Sequence, residues 1–245
     1  EGGAHQSIGS PLIGMSQDGL ASFEPAFADE LAVIMKWAFD YLQKDGEGDP
    51  DERTWLRDET GGSVYLRLTT NPIEQPGKRV DEDFRQGAID GAYWLRKPGP
   101  NCEVVIAYQG AVAPEAIKAA GIIAEGRRDV GVLAVTSADR LNAGWTAAQR
   151  ARARGNAAAQ SHIETLLSAL PRDCKLITVI DGHPATLSWL GSVIGHQTVP
   201  LGVEHFGQTG TIADLYRHFG IDAASIVEKV QGLTPGRSVV HRIAG

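Results

Sequence analysis

The chain opens on "EGGAHQSIGS", which sets His5 in a glycine-flanked stretch four places after the carboxylate of Glu1. An imidazole exchanges protons near neutral pH, so His5 is a candidate for acid–base work. From this stretch alone, a solvated histidine is an equally good reading. Two further histidines stand where a ligand could meet them. His183, in "DGHPATL", follows a predicted buried strand, and α/β sheets place ligands at the carboxyl ends of their strands. His205, in "EHFGQTG", lies in a glycine-containing loop. For both, capping a helix or filling a contact between domains is the ordinary alternative.

Self-contained catalytic motifs are missing. The turn after "EVVIAY" reads "QGAVAPEA" and lacks the GxGxxG of a dinucleotide site. There is no P-loop, no GxSxG nucleophile elbow and no HExxH. Cys102 and Cys174 each sit in an apolar run without CxxC spacing, so neither a disulfide framework nor a zinc site is expected, and a reducing cytoplasm suits them. A net charge of −7 over 245 residues argues against nucleic acid or an anionic membrane as partner. Apolar stretches are broken by Lys36, Asp40 or Asp181 well short of the roughly 18 residues that cross a bilayer.

The elements that must position these histidines fall into two groups. "DELAVIMKWAFDYLQ" (29–43) puts Leu31, Ile34, Met35, Ala38, Phe39 and Leu42 at helical spacing, with Asp29 as a candidate cap. An acidic, glycine-rich loop (45–62) leads to the strand "SVYLRLTT" (63–70). "NPIEQPGKRVDED" (71–83) is aperiodic and has the composition of a linker. Beyond it strands and helices alternate. Strands are predicted at 91–97, 103–109, 130–137, 175–181 and 197–203, and helices at 113–126, 162–170, 183–195, 211–220 and 222–230. Uninterrupted apolar strands separated by helices indicate a mostly parallel sheet covered on both faces. Arg150, Arg152 and Arg154 read as a solvated face, and Trp37, Trp94 and Trp189 as core or interface.

A family resemblance runs along the whole chain. "EGGAHQS" resembles the loop of transketolase-like thiamine-diphosphate enzymes that holds a histidine over the donor substrate. With "FEPAFADELAVIMKWAFDYL" and "SVYLRLTTN" it is similar to the homodimeric decarboxylating component of 2-oxoacid dehydrogenase complexes, the pyruvate dehydrogenase type. "LGVEHFGQTGTIADLYRHFGIDAASIVEKV" resembles the closing segment of the transketolase C-terminal domain. The resemblance implies an α/β fold: the C-terminal part of a pyrimidine-binding domain (1–75), a linker (76–83) and a three-layer transketolase C-terminal-like domain with a mostly parallel sheet (84–245). It implies that His5 donates a hydrogen bond or proton to the substrate oxygens and that Glu1 sets the charge and orientation of that loop. His183 and His205 become secondary substrate contacts.

The resemblance also implies what lies elsewhere. Thiamine diphosphate and magnesium are held in this family by a "GDG" followed by Asn, absent here, and the activating glutamate lies upstream of residue 1. The chain therefore reads as a C-terminal fragment that binds no cofactor and is inactive alone. The parent would decarboxylate a small 2-oxo acid, pyruvate or another such as 2-oxobutanoate, and pass the acyl unit to the lipoyl acyltransferase core as a cytoplasmic homodimer. Transketolase and a non-catalytic dimerisation or regulatory module are the alternatives.

Overall fold

A computed structural model describes residues 7–17, 19–46, 56, 58–77, 80–126, 128–205 and 207–234. The first elements are helix α1 (Ser10–Ser16), strand β1 (Leu20–Phe23), helix α2 (Ala28–Leu42) and strand β2 (Ser63–Leu66). The strands β1 and β2 pair in parallel, Leu20 opposite Ser63 through Phe23 opposite Leu66. Neither α1 nor β1 was expected, because seven and four residues are too few for a period to show. The strand predicted at 63–70 stops at Leu66, where the Arg67 amide closes on the Phe23 carbonyl at 2.9 Å.

Two details of α2 differ from the expectation. Its cap is not Asp29 but the Glu30 carboxylate, which accepts from the amides of Ala26 at 2.7 Å and Phe27 at 2.9 Å. Its buried stripe is Glu30, Ile34, Ala38 and Tyr41: of the expected apolar positions Ile34 and Ala38 are buried, whereas Phe39 and Leu42 are 60% and 47% exposed. Aromatic contacts fix that rotation: Trp37 stacks on Tyr41 at 4.5 Å and meets Phe23 edge-on at 5.3 Å. The inward carboxylate is satisfied, since the Tyr93 hydroxyl donates to Glu30 at 2.5 Å.

The larger unit follows as α3 (Glu82–Asp90), β3 (Ala92–Arg96), β4 (Val104–Gln109), α4 (Ala113–Glu125), β5 (Val130–Val135) and α5 (Ala138–Ala153). It continues with α6 (His162–Ser168), β6 (Lys175–Ile180), α7 (Ala185–Ser188), β7 (Thr198–Leu201), α8 (Ile212–His218) and α9 (Ala223–Leu233). Asp81 caps α3 by accepting from the Phe84 amide at 3.0 Å. The single helix expected over 183–195 is shorter, tightening into a 3-10 turn at Trp189–Ser192. Arg150 and Arg154 are exposed as expected, whereas Arg152 is half-buried and pairs with Glu164 at 2.7 Å.

The strand order is β3-β5-β4-β6-β7, with β3 antiparallel to β5 and the remaining pairs parallel. Alternation along the strands separates two apolar layers. Val104, Ile106, Tyr108, Ile177 and Val179 face α4 and α9, where Ala116, Ala120, Ile123, Ile226 and Val230 cover them. Val105, Ala107, Leu133 and Leu176 face α5 and α6, packing on Leu141, Ile163 and Leu167. This is the three-layer α/β domain with a mostly parallel sheet that the alternating pattern predicts.

The small unit joins the large one through apolar contact at Phe27, which belongs to the core with Phe84, Tyr93 and Val112, and through polar groups at the end of β1. The Glu24 amide donates to the Thr136 carbonyl at 2.7 Å, the Ser22 amide to Asp139 at 2.9 Å, and the Ser137 hydroxyl to the Ser22 carbonyl at 2.6 Å. The end of β1 is thereby held at the carboxyl end of β5.

Candidate functional site at the carboxyl ends of the parallel strands

Chain order places β5 on one side of β4 and β6 on the other, so the path reverses at β4. That reversal opens a crevice outside the carboxyl ends of β4 and β6, where open α/β sheets bind ligands. Gln109 ends β4, and Asp181, Gly182 and His183 follow β6. Two residues of the small unit reach into this end: Glu24 directly after β1 and Arg67 directly after β2.

Together they form a closed network. Arg67 Nη1 pairs with Glu24 Oε1, and Arg67 Nη2 donates to the Asp181 carbonyl at 2.7 Å. Gln109 Nε2 donates to Glu24 Oε2 at 3.0 Å, while its Oε1 accepts from the Ala138 amide at 3.2 Å. The Tyr216 hydroxyl on α8 donates to Asp181 Oδ2 at 3.3 Å. Gly110 permits the closeness: its φ of +68° suits glycine, and a Cβ there would run into the Glu24 carboxylate.

Burial sets the electrostatics. Glu24 is 4% exposed, and loss of solvent pushes its carboxyl up to about 7. The Arg67 charge and the Gln109 and Arg67 hydrogen bonds pull it down, and the Asp181 charge adds a smaller upward push. Asp139, which holds the Ser22 amide, is raised by burial to about 6 against that hydrogen bond and the charge of Arg140. Burial also raises the Tyr216 phenol, with the charge of Asp181 next. Two carboxyls at the joint can therefore exchange protons near neutrality, but Glu24 is enclosed by its partners, so its role is to position the strands around it.

Glu1 and His5 lie outside the described residues. The segment that follows them does not. The Ile8 carbonyl accepts from the His183 amide at 2.9 Å, and α1 packs against α5 and α7. His183 Nδ1 accepts from the Ala185 amide at 3.2 Å, so His183 caps the start of α7 and keeps only Nε2 for anything else. His205 is exposed and meets the Phe219 ring edge-on at 5.5 Å, with His218 at 6.3 Å. Among the described residues no hydrogen bond joins His205 to the Glu24 network.

Sequence reasoning passed over Glu24, Arg67, Gln109 and Asp181. Their signal is positional: each is the last residue of a strand or stands just beyond it, the criterion that singled out His183. Two cavities lie elsewhere. One of about 620 Å³ is lined by Asp81, Asp90, Tyr93, Trp94, Lys97 and His162, and one of about 490 Å³ by Leu56, Asp58, Arg140 and Gly144. Fold topology, buried charge and the attachment of Ile8 converge instead at the strand-end crevice. His162, which borders both cavities, is engaged with the Ala92 carbonyl at 2.7 Å.

Comparison with known proteins agrees with this architecture. The family of transketolase-like TK C-terminal domains matches residues 91–222. The pyruvate dehydrogenase E1 component of Mycolicibacterium smegmatis is 28% identical over 241 residues, 95% of this chain and 24% of that protein. The protein of the same name from Corynebacterium glutamicum is 27% identical over 237 residues, 94% of this chain and 24% of that protein. The chain thus spans about a quarter of these relatives' length. Transketolase from Leishmania mexicana superposes with a TM-score of 0.66 at 17% identity, covering 97% of this chain and 29% of that one. A chain described as "Split gene transketolase, inactive beta4 tetramer" superposes with a TM-score of 0.59 at 18% identity, covering 94% of this chain and 62% of that one.

Proposed function

The chain belongs to the family of transketolase-like C-terminal domains, and from that premise we propose that it is the C-terminal portion of a thiamine-diphosphate-dependent 2-oxoacid dehydrogenase component. The parent decarboxylates pyruvate or another short 2-oxo acid and transfers the acyl unit to a lipoyl group on the acyltransferase core. In this reading residues 1–75 are the end of the pyrimidine-binding domain, 76–83 a linker and 84–245 the C-terminal domain. The observation that carries the reading is the bond between Ile8 and His183. That bond holds the segment after His5 at the carboxyl ends of β4 and β6, which supports a substrate-side role for the glycine-flanked histidine. The two curated relatives, which align over 94–95% of this chain, support pyruvate chemistry over the transketolase alternative.

This chain's contribution is on the substrate side. His5 donates a hydrogen bond or proton to the substrate oxygens, Glu1 orients that loop, and His183 Nε2 and His205 are secondary contacts. Glu24 and Arg67 hold the loop's support against the sheet. The sequence lacks the GDG followed by Asn that the resemblance assigns to holding thiamine diphosphate and magnesium. The cofactor is accordingly assigned to the rest of the parent. The chain alone is inactive and associates, a reading supported by the structural neighbour described as an inactive beta4 tetramer. Dimerisation of the parent and a cytoplasmic location go with the reading, the latter with two free, buried thiols.

The test uses the full-length parent. His5→Ala should lower turnover of pyruvate or 2-oxobutanoate by about a hundredfold or more, the contribution of a general acid–base group, with cofactor affinity nearly unchanged. Activity within about twofold of the parent on both acids would remove His5 from the reaction. The isolated chain should show no saturable uptake of thiamine diphosphate with magnesium by titration calorimetry.

A further inference from the structure

The two cysteines, 72 residues apart, meet at the opposite end of the large sheet from the candidate site. Both are free and buried, Cys102 at 2% and Cys174 at 1% exposure, with their sulfurs 3.9 Å apart. Each stands directly before one of the paired central strands, Cys102 two residues before Val104 and Cys174 one residue before Lys175, and Val104 pairs with Lys175. Neither lies within the ladder itself. Cys102 closes a turn by donating its amide to Gly99 at 3.2 Å, and Cys174 closes another by donating to Pro171 at 3.0 Å. Turn residues can shift without breaking strand pairing. The approach needed, from 3.9 Å to about 2.05 Å, therefore falls on two turns.

We propose that Cys102 and Cys174 are a redox-sensitive modification site, converted by a peroxide-class oxidant into a reversible intramolecular disulfide. The exposed residues Asn101 and Asp173 adjoin the two thiols, so a molecule of peroxide size has a short path in. The pair is chemically unequal. The Cys174 thiol donates to the Cys102 sulfur, which holds the Cys102 thiol below its ordinary range, while the same bond and burial push the Cys174 thiol up. Cys102 is thus the attacking thiolate. Its sulfur attacks one peroxide oxygen, the O–O bond breaks, and Cys102 sulfenic acid and hydroxide form; the hydroxide takes up the proton Cys102 had lost. The Cys174 sulfur then attacks the sulfenic sulfur, its proton leaves with the departing hydroxyl as a second water, and the S–S bond closes. Two thiols and one hydrogen peroxide give one disulfide and two waters. A bridge here ties the entry ends of β4 and β6 and leaves the exit ends, with Glu24 and His183, untouched.

The test is to treat the 245-residue chain with hydrogen peroxide, block remaining thiols with N-ethylmaleimide, unfold and digest without reduction, and map the peptides by mass. The expected result is one linked pair containing Cys102 and Cys174, two hydrogens lighter than the sum of the free peptides and released by dithiothreitol. Oxidation should also raise the denaturant midpoint. In Cys174→Ser, whose hydroxyl can still donate to the Cys102 sulfur, the Cys102 sulfenic acid should accumulate and be trapped by dimedone. Recovery of both cysteines as blocked thiols, as sulfinic acids, or as links between chains only would overturn the proposal. The peptide map of the unmutated chain decides even where a variant fails to fold.

Discussion

The interior of the five-stranded sheet and the joint where the small unit meets it are both buried, yet they are built on different physics. Inside the sheet, Ile106, Val105, Ile177 and Leu176 are sealed between helices by apolar contact alone. At the joint, Glu24, Arg67, Gln109, Ser137 and Asp139 hold the end of β1 by hydrogen bonds and one ion pair. Apolar packing is strong, indifferent to pH and forgiving of small changes in geometry. A buried polar joint contributes less net stability, because desolvation offsets the attraction, but it is directional and responds to protons. Under the proposed function, the contrast would suit a substrate-side loop aimed from one unit onto the end of another.

The largest expected effect belongs to the apolar side. Ile177 is fully buried in the central strand β6, and Ile177→Ala removes three carbons with little room to collapse, costing about 2 to 5 kcal/mol of global stability. The denaturant midpoint should fall by the same amount at acid and neutral pH. A loss that varied with pH would break the distinction between the two regions.

The joint should behave in the opposite way. The folded Glu24 carboxyl sits near 7 against an ordinary value of 4.5, so the folded state binds a proton more tightly than the unfolded state does. Its cost is therefore absent below about 4.5, grows as pH rises, and is complete above about 7, amounting to about 3 kcal/mol at most. Asp139, raised from 3.8 to about 6, adds a slope of the same sign over a lower window. Glu24→Gln keeps the Gln109 contact and removes the titration. The difference in stability between this variant and the unmutated chain should shift in the variant's favour from pH 5 to about 8. A pH-independent difference would mean that Glu24 stays charged in the fold.

What could be read from residue order follows the same division. The strands at 103–109, 130–137 and 175–181 were visible because an unbroken apolar run carries its own meaning, wherever its partners lie. Residue order cannot choose between Asp29 and Glu30 as the cap of α2, because they are one residue apart and only the bonds from Ala26 and Phe27 distinguish them. On α2 the spacing rightly marks Ile34 and Ala38 as buried but cannot exclude Phe39 and Leu42, because Trp37, Tyr41 and Phe23 settle the rotation through contacts that cross elements. The network at the joint was invisible for a stronger reason. Glu24 meets Arg67 from 43 residues away, Gln109 from 85, and Arg67 meets Asp181 from 114. Glu24 in "SFEPAF" and Arg67 in "LRLTT" look like ordinary surface charges until the fold brings them to one strand end.

The smallest effect separates side chain from backbone at His183. Its Nδ1 caps α7 through the Ala185 amide, a contact to a short helix, while its own amide holds the Ile8 carbonyl. His183→Ala deletes the first and keeps the second. Loss of a capping side chain costs about 0.5 to 2 kcal/mol, and with only four residues in α7 the lower figure applies. Hydrogen exchange should quicken at Ala185 and remain unchanged at the His183 amide, because the bond that anchors the Ile8 segment belongs to the main chain. His183→Asn, which can accept from the same amide, should restore most of the protection. If instead the alanine variant loosened residues 8–16 along with α7, the side chain of His183 would be part of the joint, and the boundary between the polar hinge and the helix beside it would move one residue outward.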